Sequence, residues 1–137
     1  MANILILDDD HDVRKNLATI IDSKTNHQAV FASCGEEGIE ILKVVPVDLV
    51  ITDIMMPFMN GIDFISKVKK DFPDLKVIAI TGGGNIYGKV GELLQQAKAK
   101  GADGLVEKPY KMKDILKLIE DILLTSKTAN SAARTTC

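Results

Sequence analysis

The chain has 137 residues, 46% of them hydrophobic and 26% charged, which is typical of one soluble globular domain with a buried core. Its 17 basic and 19 acidic residues leave a formal charge of -2, without the basic excess that marks a nucleic-acid-binding surface. The apolar runs are too short for a secretion signal or a membrane span. The two cysteines, Cys34 and Cys137, lack metal-type spacing and predict no disulfide framework. We expect a cytoplasmic protein that contacts neither membrane nor nucleic acid directly.

Five short apolar runs recur along the chain and predict five β-strands. They are rich in Ile, Val and Leu and do not alternate with polar residues, which is typical of parallel strands that are buried on both faces. The runs lie at residues 4–7, 29–32, 49–51, 77–80 and 105–106.

Stretches with helical periodicity separate these runs. Val13, Leu17, Ile20 and Ile21 are spaced so that they share one face of a helix. Similar spacing recurs at Ile115, Leu118, Ile119 and Ile122, and more weakly at Ile62, Ile65 and Val68. Five strands alternating with five helices predict an α/β fold with helices on both faces of a parallel sheet. The expected topology is flavodoxin-like and doubly wound, with strand order 2-1-3-4-5.

The last residues of the chain, 125–137, are small and polar and show no apolar periodicity. We interpret them as a disordered tail that follows one domain at residues 1–124. On this interpretation the chain has no segment left for a DNA-binding or catalytic output module.

Polar residues whose side chains can bind ligands or react follow four of the predicted strands. The first run leads into Asp8 and Asp9, the third into Asp53, the fourth into Thr81 and the fifth into Lys108. The carboxyl ends of parallel strands form one edge of the sheet, where ligands bind at the point at which the strand order reverses. We therefore expect these five side chains to gather on one rim, with Asp9 beside Asp53.

The chemistry of this set favours phosphoryl transfer. Three carboxylates repel one another, so a hard cation such as Mg²⁺, which prefers oxygen ligands, is expected among them. Asp53 is placed as a nucleophile, because aspartates form covalent aspartyl-phosphates. Lys108 supplies a positive charge and Thr81 a hydroxyl donor for the phosphoryl oxygens, and this reaction needs little beyond positioning and charge stabilisation.

With these residues the sequence resembles the response-regulator receiver family, from residue 3 to residue 124. Each motif is weak alone, but all occur in order and at strand ends. They are Ile4-Leu-Ile-Leu-Asp8-Asp9-Asp10, Asp48-Leu-Val-Ile-Thr-Asp53-Ile-Met-Met-Pro57, Asn60-Gly61, Ile80-Thr81-Gly82 and Glu107-Lys108-Pro109-Tyr110.

The resemblance implies a role for each site residue. Asp53 is then the phosphoacceptor, and Asp9, Asp53 and the main-chain carbonyl of Met55 bind Mg²⁺ directly, while Asp8 holds a metal-bound water. Thr81 and Lys108 bind the phosphoryl oxygens. The peptide bond between Lys108 and Pro109 is expected to be cis, as is usual for the family.

The resemblance also implies a function in a two-component pathway. The chain is then a regulatory phosphoacceptor and not a conventional enzyme. It receives a labile phosphoryl group from a sensor histidine kinase or a histidine phosphotransfer protein. It signals by binding an effector through the face formed by the fourth helix, the fifth strand and the fifth helix. A stand-alone receiver is our first interpretation, and a receiver cut from a larger regulator is the alternative.

The sequence departs from the family pattern in two places. Leu105 stands where the family often has an aromatic residue that turns inward on phosphorylation, and Tyr110 is an alternative candidate for that role. Three glycines at 82–84 follow Thr81. Our hypothesis is that this loop and the first turn of the fourth helix are mobile and that phosphorylation orders them.

Other interpretations remain open from the residues alone. A flavin-binding domain or a small α/β enzyme on the same scaffold would need a Gly-rich or Ser/Thr-rich turn after the first strand, where this chain has aspartates. A pseudo-receiver would bind partners without phosphorylation. Asp10 is expected to cap the first helix, and His27 is expected at the surface.

Overall fold

A computed structural model describes residues 2–54, 61–81, 90–108 and 110–136. Strands and helices alternate along these residues, as the apolar runs and helical periodicities predict. The elements are β1 Asn3–Leu7, α1 His11–Lys24, β2 Gln28–Ala32, α2 Gly35–Val44, β3 Leu49–Asp53, α3 Gly61–Asp71, β4 Lys76–Thr81, α4 Val90–Ala99, β5 Gly104–Glu107 and α5 Met112–Thr136.

The five strands form one parallel sheet in the order β2-β1-β3-β4-β5, which confirms the predicted flavodoxin-like topology. β1 and β3 are neighbours, with Leu7 opposite Thr52. β3 pairs in turn with β4, and Asp53 lies opposite Ile80. The chain thus leaves β1 in one direction and β3 in the other, so the strand order reverses between the residues that follow these two strands.

The core has two parts, one on each face of the sheet. Leu5 and Leu7 of β1 pack with residues of α2, α3 and α4, whereas Ile4 and Ile6 pack with residues of α1 and α5. Successive side chains of a strand point to opposite faces, so the central strands β1, β3 and β4, which are buried on both faces, are apolar at nearly every position. This is why the strands appear in the sequence as continuous apolar runs rather than as alternating ones.

Helix α1 begins where the sequence analysis placed its cap. The Asp10 side chain accepts hydrogen bonds from the backbone N–H groups of Asp12 and Val13, at 2.9 and 3.4 Å. The helix buries Leu17, Ala18 and Ile21 against the sheet. The cap confirms the expected role of Asp10 and sets the direction in which the chain leaves β1.

Helix α5 differs from the expectation at the end of the chain. Its backbone is helical from Met112 to Thr136 and includes residues that we expected to form a disordered tail. Three alanines lie in this segment, at 129, 132 and 133, and alanine has the highest helix propensity of any residue. The absence of an apolar stripe therefore did not predict the absence of a helix. The boundary of the domain at Leu124 stays a prediction.

The expectation that His27 lies at the surface is wrong. The residue is only 8% exposed. Its Nδ1 accepts a hydrogen bond of 3.0 Å from the Ala2 N–H, and its Nε2 lies 2.7 Å from Oε1 of Glu120 on α5. The ring thus ties the start of β1 to α5. Within the described part of the chain, no helix is both long enough and apolar enough to cross a membrane.

Candidate functional site

The carboxyl ends of four strands place the predicted site residues on one rim. Asp8 and Asp9 follow directly after β1, Asp53 is the last residue of β3, and Thr81 is the last residue of β4. Lys108 follows β5, and its N–H donates a 3.1 Å hydrogen bond to the carbonyl of Thr81. The parallel register thus places these residues on the edge where the sequence analysis expected them.

Three carboxylates meet on this rim. Asp8, Asp9 and Asp53 each place a carboxylate oxygen within 4.8 Å of the other two. Asp8 is 3% exposed and Asp53 is 7% exposed, whereas Asp9 lies open to solvent. Two buried carboxylates and one exposed carboxylate therefore form a partly enclosed acidic cluster. This cluster is the arrangement predicted from the ends of the first and third strands.

Lys108 brings a positive charge to the cluster. Its Nζ lies 3.5 Å from Oδ2 of Asp53 and 3.9 Å from Oδ2 of Asp8. Both distances exceed those of a strong charge-assisted hydrogen bond, so the ammonium acts chiefly as a nearby charge. One ammonium cannot balance three carboxylates. The site therefore has a surplus of negative charge that suits a cation.

The electrostatics of the cluster act most strongly on Asp8. The pKa of its carboxyl is raised from 3.8 to about 6, chiefly by burial and to a lesser extent by the charges of Asp53 and Asp9. The Asp10 N–H, which donates to Asp8 Oδ1 at 2.8 Å, and the charge of Lys108 lower this pKa but only partly offset the effect. In the metal-free protein a proton thus competes with a cation for this oxygen.

Thr81 contributes a buried hydroxyl that is short of a partner. The residue is 1% exposed, and its Oγ1 has no hydrogen-bond partner among the residues that the structure describes. A buried hydroxyl without a partner costs about 1–3 kcal/mol. Such a group is explained when a ligand supplies the missing acceptor. The hydroxyl at the end of β4 is therefore available to an incoming oxygen.

The acidic cluster fits the metal that the family resemblance implies. Carboxylate oxygens are the ligands that Mg²⁺ prefers, and it usually takes one or two of them together with waters and phosphate oxygens. Asp8, Asp9 and Asp53 supply such oxygens within a short distance of one another.

Some predicted features lie outside the described residues. They are the carbonyl of Met55, the glycines at 82–84 and Pro109 with its expected cis bond. Leu105, which stands in the position of the family's aromatic residue, is half-buried and packs against the core on the α2, α3 and α4 side of the sheet. Tyr110 is half-buried and packs with the α1 and α5 side, and burial raises its pKa.

The sequence analysis did not identify one residue that lies beside the site. Arg14, on the first turns of α1, donates from Nη1 to the main-chain carbonyl of Asp8 at 2.7 Å. An arginine near the start of a helix looks in the sequence like any solvated residue. Only the path of the chain from β1 into α1 brings its guanidinium to the acidic loop.

Comparison with known proteins agrees with the fold. Residues 4–120 match the family described as the response regulator receiver domain. Because this match covers most of the chain, the chain belongs to that family. Receiver domains are regulatory modules of two-component signalling systems, in which they interact with histidine kinases and effectors.

Individual relatives differ in length. The chain is 30% identical over 126 residues to the response regulator receiver protein CpdR of Brucella abortus, covering 92% of this chain and all of CpdR. It is 34% identical over 134 residues to the probable transcriptional regulator ycf27 of Guillardia theta, covering 97% of this chain but only 50% of ycf27. A receiver domain structure from Clostridium thermocellum superposes with a TM-score of 0.84 at 27% identity, covering 94% and 99% of the two chains.

Proposed function

We propose that this chain is a phosphoacceptor switch in which Asp53 carries the phosphoryl group. The observation that carries the proposal is the grouping of three carboxylates with one ammonium on a rim, beside a buried hydroxyl that has no hydrogen-bond partner among the described residues. A flavin or nucleotide phosphate would meet repulsion from Asp8 and Asp9. With a cation bound by the carboxylates, an incoming phosphoryl group would find the positive charge of Lys108 and the hydroxyl donor of Thr81.

The reaction follows from these positions. An oxygen of the Asp53 carboxylate forms a bond to phosphorus while the bond from phosphorus to the donor histidine nitrogen breaks, and the imidazole leaves with the electron pair. Lys108, already 3.5 Å from Asp53, stabilises the negative charge on the transferred group. The Thr81 hydroxyl, which has no partner within the described part of the chain, donates a hydrogen bond to one phosphoryl oxygen.

Asp8, Asp9 and Asp53, together with the carbonyl of Met55, would hold Mg²⁺. When bound, the ion offsets the charge of the carboxylates and of the incoming phosphoryl group. The protein contributes a rim on which these oxygens are held close together before the donor arrives. A sensor histidine kinase or a histidine phosphotransfer protein in the cytoplasm serves as the donor.

The signal leaves through the face that α4, β5 and α5 form. An open groove of about 510 Å³ lies between β5 and α5, and Leu105, Tyr110 and Leu118 are among its lining residues. Lys108 links this face to the site, since it follows β5 directly and its N–H bonds to Thr81. A movement of Thr81 and Lys108 on phosphorylation would therefore change the shape of the groove.

Phosphorylation of the intact protein by acetyl phosphate tests the proposal. Wild type with Mg²⁺ should gain the mass of one phosphoryl group, and the gain should disappear on removal of Mg²⁺ and in the Asp53→Asn variant. Asp12→Asn is the matched control, because it removes an exposed carboxylate of α1 near the same rim. It should be phosphorylated like wild type.

A histidine phosphotransfer protein replaces acetyl phosphate if the small donor does not react. Absence of any mass gain with both donors would refute the proposed function and favour a receiver that binds partners without phosphorylation. Equal phosphorylation of the Asp53→Asn variant would instead place the acceptor on another residue.

A further inference from the structure

The loop between β1 and α1 carries two of the three carboxylates, and several hydrogen bonds hold it. The Asp8 N–H donates to the carbonyl of Ala32 at 3.3 Å, and the Asp8 carboxylate accepts from the Asp10 N–H at 2.8 Å. The Asp10 side chain caps α1. Asp9 is the residue between these two anchored neighbours. Its exposed carboxylate makes no hydrogen bond to the described residues, so among them the loop backbone places it.

Arg14 closes this loop from the helix side. Its backbone N–H donates to the carbonyl of Asp10 at 3.1 Å, and its Nη1 donates to the carbonyl of Asp8 at 2.7 Å. One residue thus binds the carbonyls on both sides of Asp9. The guanidinium bond is short and charge-assisted, and bonds of this kind are about twice as strong as neutral ones.

The placement of the guanidinium has an unusual feature. Nε is buried, and no acceptor for it exists within the described residues, while Nη2 lies 3.4 Å from Nδ1 of His11. Arginine side chains at a helix surface normally keep their charged group in water. Here the side chain is drawn into the β1–α1 junction, and its shortest bond is to the Asp8 carbonyl.

We infer that Arg14 is a positioning residue, which holds the Asp8–Asp9 loop in the conformation that binds a divalent cation. The inference rests on the proposed function, because it assigns a support to the cation ligands of that site. Arg14 itself would touch neither the cation nor the phosphoryl group. Partners that orient the ligands of a metal typically change its affinity about 10- to 100-fold when they are removed.

Electrostatics and positioning predict opposite results, which makes the inference testable. Arg14→Met removes a positive charge near an acidic cluster, and by charge alone it would make Mg²⁺ bind more tightly. If the guanidinium positions the loop, the same variant should bind Mg²⁺ about 10-fold more weakly. Arg14→Lys keeps the charge and a donor and should recover part of the affinity.

Lys15→Met provides the matched control. Lys15 is the next residue of α1 and is exposed, so its removal changes the net charge by the same amount without touching the loop. Calorimetric titration of wild type and the three variants with Mg²⁺ gives the affinities. Lys15→Met should bind Mg²⁺ as tightly as wild type or slightly more tightly.

Hydrogen exchange in the metal-free protein provides a second measurement. The Asp10 amide should exchange faster in Arg14→Met than in wild type, while the amide of Val50 in the central strand β3 should be unchanged. Equal acceleration of both amides would mean that Arg14 merely stabilises the fold and would overturn the inference. Equal or tighter Mg²⁺ binding by Arg14→Met would overturn it as well.

The two proposals fail in different ways. If wild type binds Mg²⁺ and is phosphorylated but Arg14→Met behaves identically, only the inference about Arg14 is refuted. If wild type binds no Mg²⁺, the proposed function is refuted, and the inference fails with it.

Discussion

Replacing Asp8 by asparagine should stabilise the folded metal-free protein and weaken the binding of Mg²⁺. Burial raises the pKa of Asp8 from 3.8 to about 6, so the folded protein pays to keep this carboxyl ionised at neutral pH. The difference between these two values corresponds to about 3 kcal/mol, because each tenfold change in an equilibrium constant is worth about 1.4 kcal/mol. Asparagine has the same shape and keeps an oxygen that can accept from the Asp10 N–H.

This value already contains the attraction to Lys108. Its Nζ lies 3.9 Å from Oδ2 of Asp8, and its charge is one of the influences that set the pKa at about 6. We therefore expect Asp8→Asn to raise the free energy of unfolding by about 3 kcal/mol near pH 7 in the absence of divalent cations.

The pH dependence gives the sharper test. Because the folded state holds the Asp8 proton more tightly than the unfolded state, wild-type stability falls as pH rises from about 4 to about 6 and then levels off with respect to this group. The difference between variant and wild type should therefore be small near pH 4 and complete above about pH 6. Urea unfolding at both pH values, with chelator present, measures it. The Asp12→Asn control should show no such rise.

Addition of Mg²⁺ should reverse the order of stability. A ligand that binds only the folded state stabilises it by about 4.1 kcal/mol when its concentration is about 1,000 times its dissociation constant, which exceeds the gain expected from the substitution. Wild type should gain stability in this way and Asp8→Asn much less. A variant that is less stable than wild type near pH 7 without metal, or a difference that does not change with pH, would refute the reasoning about burial of this carboxylate.

Four further substitutions test other contacts. Lys108→Met should raise the pKa of Asp8 above about 6 in the metal-free protein, because the lysine charge lowers it; an unchanged carboxyl titration by NMR would contradict this. Gly61→Ala should cost about 2 kcal/mol or more in urea unfolding, because its Cβ would lie 2.5 Å from main-chain atoms at the end of β3. Gly38→Ala should stay within about 1 kcal/mol of wild type, since its nearest neighbour is a side-chain methyl at 3.2 Å; equal costs would refute the steric argument. His27→Phe should lose about 1–3 kcal/mol, since both ring nitrogens have partners; a thermal midpoint equal to wild type would show that these bonds contribute nothing.

The sequence by itself determined the strands and the composition of the rim. Strands that are buried on both faces must be apolar at every position, so they are visible as continuous runs such as the one that becomes β1. A parallel sheet brings the carboxyl ends of all its strands to one edge. The grouping of Asp8, Asp9 and Asp53 therefore followed from their places after those runs, without any knowledge of distances.

Only the tertiary structure decided the surroundings of single side chains. His27 is buried because α5, far along the chain, places Glu120 against it. Arg14 reaches the Asp8 carbonyl because the chain turns sharply between β1 and α1. The pKa of Asp8 depends on how completely the neighbouring strands and loops exclude water. These contacts depend on the path of the folded backbone, both between neighbouring elements such as β1 and α1 and between residues as far apart as His27 and Glu120. The local pattern of residue types does not determine that path.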